Sequence, residues 1–252
     1  MEESCNLKNI RGKVIIITGA SSGIGEAAAR LLGDMGAIVI LCGRNQKRLK
    51  KITAEIKEKE QKASYHVLDV TAYEDFQKTV QTVLDVHGRI DVLINNAGVM
   101  LLSPVCDGNV KEWHEMIDVN LNGVLHGTAA VLPALRKQKD GMILNVISTA
   151  AYRVMENSAV YSATKHAVKA FSEGLRKEES DNGIRVCLIA PGPTKTGLLQ
   201  HISSRNIQHS LQQHVDEYGL EAADIAEAIA YQISVGKHAC VNELIVSPTH
   251  KM

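Results

Sequence analysis

The sequence predicts an α/β fold: one doubly wound domain with a seven-stranded parallel sheet and helices on both faces. Two observations carry this reading. Short β-branched runs alternate with longer amphipathic stretches from the first apolar segment to the last. Most of the short runs are also apolar throughout, as a strand covered on both faces should be. At 252 residues the chain suits one such domain, and no repeat, low-complexity tract or Pro/Gly/Ser-rich linker divides residues 1–252.

The strands are expected at VIIIT from Val14, AIVILC from Ala37, SYHVLD from Ser64, DVLIN from Asp91, MILNVI from Met142, IRVCLIA from Ile184 and NELIV from Asn242. Helical spacing lies between them, as in Ala27, Leu31 and Met35 or Phe76, Val80, Val83 and Leu84. Residues 194–219 fit the rhythm least. This polar insertion at a strand end is expected to be a substrate lid, poorly ordered until ligand arrives, because it has few apolar anchors.

Directly after the first strand comes TGASSGIG, which brings Gly19, Ser21, Ser22, Gly23, Ile24 and Gly25 into the start of a helix. Glycines there let the backbone approach a pyrophosphate, and the helix N-terminus offers it unpaired N–H groups. The second strand ends at Gly43 and Arg44, where an acidic residue would favour NAD and a basic one the 2′-phosphate of NADP. Arg44 therefore points to NADP(H). Lys47 and Arg48 read equally well as cofactor contacts or as a solvated helix face. Asp69 and Val70 end the third strand, and Asn96, Ala97 and Gly98 follow the fourth. These strand ends should complete the adenine and ribose site.

Tyr161 and Lys165 lie four apart in a helical stretch, so they share a face. A neighbouring ammonium favours the phenolate and suits the tyrosine to acid/base work. Ser148 ends the fifth strand, where its hydroxyl can bond a substrate carbonyl, and Asn120 is placed to hold a water near Lys165.

With TGASSGIG, NNAG, Asn120, Ser148, Tyr161-x-x-x-Lys165 and Pro191-Gly192 in order, the chain resembles the NADP-dependent short-chain dehydrogenase/reductases over nearly its whole length. MLLSPV at Met100, EWHEMIDVN at Glu112, ADIAEAI and VNELIVSPT are similar to the branch with clavulanate-type aldehyde reductases. The resemblance implies a Rossmann fold and a catalytic set of Asn120, Ser148, Tyr161 and Lys165, with Tyr161 passing the proton and Lys165 binding the nicotinamide ribose. It implies further cofactor contacts from Pro191, Gly192, Thr194 and Thr196, and a substrate site of Ser148, Tyr161, Met100 and Tyr152. It also implies a homodimer or homotetramer, for which Val124, Leu125, Val168 and Phe171 offer apolar surface. Pro248, Thr249 and His250 stand where many relatives carry a glycine pair.

Other classes find little support. Formal net charge is zero and no basic run carries interleaved aromatics, which argues against nucleic acid. The charged start and the lack of a long apolar run predict a cytoplasmic protein without a membrane span. Five cysteines without a CxxC pair suggest neither a disulfide framework nor zinc, and no HExxH occurs among the ten histidines, so no metal is expected. Cys42, Cys187 and Trp113 read as packing residues. A nucleotide sensor on the same fold is the rival function, but it would need the glycine turn and not the tetrad.

Overall fold

The computed structural model describes residues 9–249; Cys5 and His250 lie outside them. Seven parallel strands form one sheet in the order β3-β2-β1-β4-β5-β6-β7. They are β1 (Val14–Thr18), β2 (Ile38–Gly43), β3 (Ala63–Val67), β4 (Val92–Asn95), β5 (Gly141–Val146), β6 (Ile184–Pro191) and β7 (Glu243–Val246). The helices are α1 (Gly23–Asp34), α2 (Gln46–Glu58), α3 (Tyr73–His87), α4 (Val110–Ile117), α5 (Gly123–Gln138), α6 (Ala159–Glu179), α7 (Arg205–Tyr218) and α8 (Ala222–Ser234). A π-helical turn, Asp118–Asn122, joins α4 to α5.

The apolar runs become strands because both sheet faces are covered. In β1, Ile15 and Ile17 pack with Leu32 of α1, Ile52 of α2 and Ile229 of α8, while Val14 and Ile16 pack with Phe76 of α3 and Leu135 of α5. The edge strands depart most from uniform burial: β3 is largely half-buried, and β7 alternates between exposed and half-buried positions. Strand order reverses between β1 and β4, which opens a crevice at the carboxyl ends, the usual ligand site of an open α/β sheet.

A chain of buried amides fixes the central layers. Asn95 Nδ2 donates to Asn145 Oδ1 at 2.9 Å, Asn145 Nδ2 donates to Ser172 Oγ at 2.8 Å, and that hydroxyl donates to Val168 O at 2.7 Å. The chain ties β4 to β5 and β5 to α6, the helix that carries Tyr161 and Lys165. Asn145→Ala leaves the Asn95 amide without its acceptor, while Ser172 keeps its bond to Val168 O, and a buried group without a partner costs about 1–3 kcal/mol. Urea unfolding should register that loss with an unchanged m-value.

The segment 194–219 is more regular than its polar composition suggests. After a short 3₁₀ turn at Gly197–His201 it forms α7, a helix of 14 residues. It is also anchored: Leu199, Ile202 and Val215 are buried in the main core, with Ile207 and Leu211 packed against it. Ile207, Leu211 and Val215 recur every four residues, one stripe of a helix, and the polar residues between them obscured that period. The α5 and α6 residues named for assembly also divide. Val124 and Val168 are buried within the subunit, leaving Leu125 and Phe171 half-exposed.

Candidate active site

The glycine turn after β1 is held by the loop after β4. Thr18 Oγ1 accepts the N–H groups of Asn96 and Ala97, each at 3.0 Å, and Asn96 Nδ2 donates to Thr18 O at 2.8 Å and Gly19 O at 3.3 Å. Gly19 has φ +64°, and a Cβ there would lie 2.9 Å from Ala97 Cα. A Cβ on Gly25 would lie 2.5 Å from Gly19 O and 2.6 Å from Asn96 Nδ2. Both positions therefore need glycine for packing, and Gly19 needs it for conformation as well. Asn96 acts here as a brace for the turn, a role its place after a strand end hinted at only in general terms.

The rim has what an anionic dinucleotide needs. Ser22 at the N-cap of α1 makes no side-chain cap, so it leaves first-turn N–H groups for a phosphate. Ser21 and Gly43 approach each other across the turn, where a Cβ on Gly43 would lie 3.7 Å from Ser21 Oγ. Arg44 is exposed and forms no ion pair among the described residues, whereas Arg48 is engaged: its Nη2 lies 2.8 Å from Glu26 Oε2 and its Nε donates to Ser21 O at 3.3 Å. Arg48 thus braces the turn, leaving Arg44 as the available guanidinium at the end of β2. Burial would raise the Asp69 carboxyl, but hydrogen bonds from Thr71 and the charge of Arg44 outweigh it and hold the group below its ordinary range. Val70 packs under Gly123, and its carbonyl lies 3.0 Å from His126 Nδ1.

From the other side comes the strand end of β6. Pro191 is buried, and Gly192 N–H donates to Val246 O at 2.7 Å. A Cβ on Gly192 would meet Pro248 Cδ at 3.0 Å, so the C-terminal proline closes over it. Thr194 Oγ1 donates to Gly192 O at 2.9 Å, and the chain forms a bridge from Thr194 to Leu220. Thr196 reaches back to the glycine turn: a Cβ on Gly23 would lie 3.1 Å from its methyl carbon. These residues line one crevice, with the uncapped turn Ser22 to Gly25 on one side and the chain after β6 on the other.

Tyr161 and Lys165 are both buried on one face of α6, with Lys165 Nζ 5.8 Å from the Tyr161 ring centroid and donating to Val146 O at 3.1 Å. Gly98 lies close under Asn120, since a Cβ there would sit 3.2 Å from Asn120 Oδ1 and in ordinary contact, 3.7 Å, with Lys165 Nζ. Ser148 caps the turn after β5, its Oγ accepting Ala150 N–H at 3.1 Å. Asn120 sits in the π-turn and is committed to structure: Oδ1 accepts Val99 N–H at 2.8 Å, and Nδ2 donates to Val99 O at 2.9 Å and to Thr164 Oγ1 at 3.2 Å. Both amide protons are used, so a water held by this side chain would have to donate to Oδ1. Met100 is half-buried against the core, and Tyr152 is exposed with Lys169 Nζ 5.0 Å from its ring centroid.

Burial dominates the electrostatics. It pushes the Tyr161 phenol up to about 12, with the Ser148 hydroxyl working the other way, and brings the Lys165 ammonium down to about 8. Unfolded, the lysine would keep its proton to its ordinary value of 10.5, so between pH 8 and 10.5 the unfolded chain binds more protons. This group's contribution to stability therefore rises with pH across that window. Lysine-selective NMR on the cofactor-free protein should show one side chain titrating near pH 8 and absent in Lys165→Met; a uniform titration near 10.4 would contradict the assignment.

A family model described as short chain dehydrogenase matches residues 13–207. An uncharacterized oxidoreductase of Staphylococcus saprophyticus is 42% identical over 248 residues, covering 96% of this chain and 98% of that protein. Among solved structures, an alcohol dehydrogenase from the archaeon Thermococcus sibiricus, complexed with 5-hydroxy-NADP, superposes with TM-score 0.86 at 31% identity, covering 96% of this chain and 99% of that one. A metagenomic short-chain oxidoreductase in complex with NADP gives TM-score 0.82 at 31% identity, covering 96% and 100%.

Proposed function

The chain belongs to the short chain dehydrogenase family, and from that premise we propose an NADP(H)-dependent oxidoreductase that interconverts an aldehyde or ketone and its alcohol. One observation carries the reading: a buried Tyr161–Lys165 pair stands at the crevice rim beside Ser148, across from an uncapped helix N-terminus and the exposed Arg44. Solved relatives bound to NADP or its 5-hydroxy derivative support the cofactor. The similarity of MLLSPV and EWHEMIDVN to clavulanate-type reductases supports the substrate class.

The bound dinucleotide would supply or accept the hydride. Ser148 donates a hydrogen bond to the carbonyl oxygen and orients it. Tyr161, its phenol protonated throughout the neutral range, donates that proton to the oxygen in reduction and takes it back in oxidation. Lys165, held between Val146 O and the tyrosine ring, steadies the phenolate left behind and hydrogen-bonds the nicotinamide ribose. Asn120 holds the Val99 loop and Thr164 in place beneath them. Met100 and Tyr152 border the substrate. Ser21, Ser22, Gly23, Ile24 and Gly25 would hold the pyrophosphate, Arg44 the 2′-phosphate, Asp69 and Val70 the adenine, and Asn96 to Gly98 the ribose. Pro191, Gly192, Thr194 and Thr196 close over the nicotinamide end.

The direct test is NADPH oxidation across a panel of aldehydes, ketones and diketones; tight NADPH binding with no turnover on any would replace this reading with a sensor. Arg44→Ala should weaken NADPH by about 1.5–3 kcal/mol, roughly ten- to a hundredfold, and leave NADH nearly unchanged. Equal loss of both cofactors would assign Arg44 to the fold. Leu125 and Phe171 leave apolar surface on α5 and α6 that suits a homodimer or homotetramer in the cytoplasm. A monomer in light scattering at micromolar protein would refute that assembly.

A further inference from the structure

Cys187 and Cys240 are 53 residues apart in sequence, yet their sulfurs approach to 3.5 Å. Cys187 is fully buried in β6, opposite Leu144 of β5, and the pairing of β6 with β7 begins at the next residue, Leu188. Cys240 lies half-buried in the irregular stretch between α8 and β7. Both are free thiols.

Two guanidinium groups flank the pair. Arg176 Nε donates to Val186 O at 2.9 Å and its Nη2 to Asn242 O at 3.2 Å, while Arg185 Nη1 donates to Val235 O at 3.1 Å. Arg176 is anchored on carbonyls one and two residues from the cysteines and Arg185 on one at the end of α8, and neither forms an ion pair among the described residues. The two thiols respond in opposite directions. A hydrogen bond from Cys187, aided by the charges of Arg185 and Arg176, holds the Cys240 thiol below its ordinary value. The same hydrogen bond, together with burial, pushes Cys187 up. Such an asymmetry makes one sulfur the attacking thiolate and the other the resolving thiol.

We propose that Cys187 and Cys240 form a reversible disulfide, a modification site that hydrogen peroxide oxidises. The Cys240 thiolate attacks one peroxide oxygen, the O–O bond breaks, and hydroxide leaves as a sulfenic acid forms on Cys240. The Cys187 sulfur then attacks the Cys240 sulfur, the S–O bond breaks, and the sulfenic hydroxyl departs with the Cys187 proton as water. The two sulfurs together lose two electrons, and the peroxide is reduced by them. A disulfide needs the sulfurs at about 2.05 Å. Closing that gap falls to Cys240, because its backbone belongs to no helix or strand, whereas Cys187 is locked in the ladder. The bridge would close a loop running through Thr194, Thr196, α7 and α8 and pin the edge of the sheet to its interior.

The intact protein, treated with hydrogen peroxide and then freed of it, should yield a Cys187–Cys240 linked peptide lighter by two hydrogens under non-reducing digestion. Thiol titration after denaturation should fall from five to three and return with dithiothreitol. Closing so long a loop should raise the melting temperature by roughly 5–10 °C. Cys240→Ala, at a half-buried loop position, should fold normally and lose both the link and the thermal shift, whereas Cys106→Ser should keep both. Oxidation confined to Cys106, conversion of Cys240 to sulfinic acid without a link, or a linked form that melts no higher than the reduced one would each overturn the proposal.

Discussion

Tyr161→Phe is expected to lower turnover by roughly two to four orders of magnitude while NADPH affinity stays near that of the unaltered protein. The substitution removes one oxygen from a ring that is already buried and packed in the main core, so α6 and the crevice wall should survive it. Only proton delivery to the nascent alkoxide loses its source. Lys165→Met should differ in kind. The ammonium sits against Val146 O and the tyrosine ring and is also assigned to the ribose, so its loss should depress turnover and weaken NADPH together. Two measurements on each variant separate the roles: single-turnover rate with the best substrate, and NADPH affinity by fluorescence titration. Near-normal turnover in Tyr161→Phe would remove that residue from the mechanism.

Gly25→Val should abolish dinucleotide binding altogether. A Cβ alone would lie 2.5 Å from Gly19 O and 2.6 Å from Asn96 Nδ2, closer than real Cβ atoms come to their neighbours, and the branch adds two more carbons. Neither neighbour can retreat cheaply. Gly19 has φ +64° in the turn, and Asn96 Nδ2 is committed to Thr18 O and Gly19 O. Overpacking of this kind costs about 1–3 kcal/mol in stability, a loss the fold can survive while the phosphate turn does not. Circular dichroism should then show a folded protein with a lowered melting point, and titration should detect no NADPH binding. Retained affinity would mean that the turn is more pliant than its hydrogen bonds imply.

What the sequence revealed was local. The strands of β1, β2 and β4 to β6 were readable because both faces of the sheet demand apolar residues, and Tyr161 with Lys165 because four residues make about one helical turn. The glycine turn was readable because its spacing and its place between strand and helix occur together. What stayed hidden depended on partners far along the chain. Arg48 finds Glu26 and Ser21 across 22 and 27 residues, and Asn145 finds Asn95 across 50. Nothing near Asn120 in the sequence says that its amide is engaged with Val99 rather than open to a water. The helix α7 was hidden differently: Ile207, Leu211 and Val215 keep helical time, but histidines, glutamines and serines surround them and lower the contrast.

The brace between Asn96 and Thr18 joins residues 78 apart, and β1 can pair with β4 only after two intervening βα units have been made. During synthesis the glycine loop therefore leaves the ribosome long before the amide that shapes it. A nascent chain that ends short of Asn96 has the complete phosphate fingerprint in its sequence and no formed receptor for it. Such distant pairings are slow to close, because the chain gives up loop entropy before any contact compensates. A ligand that binds only the finished crevice then favours the folded form by mass action, so the supply of dinucleotide in the cell bears on how much of this protein survives its own maturation.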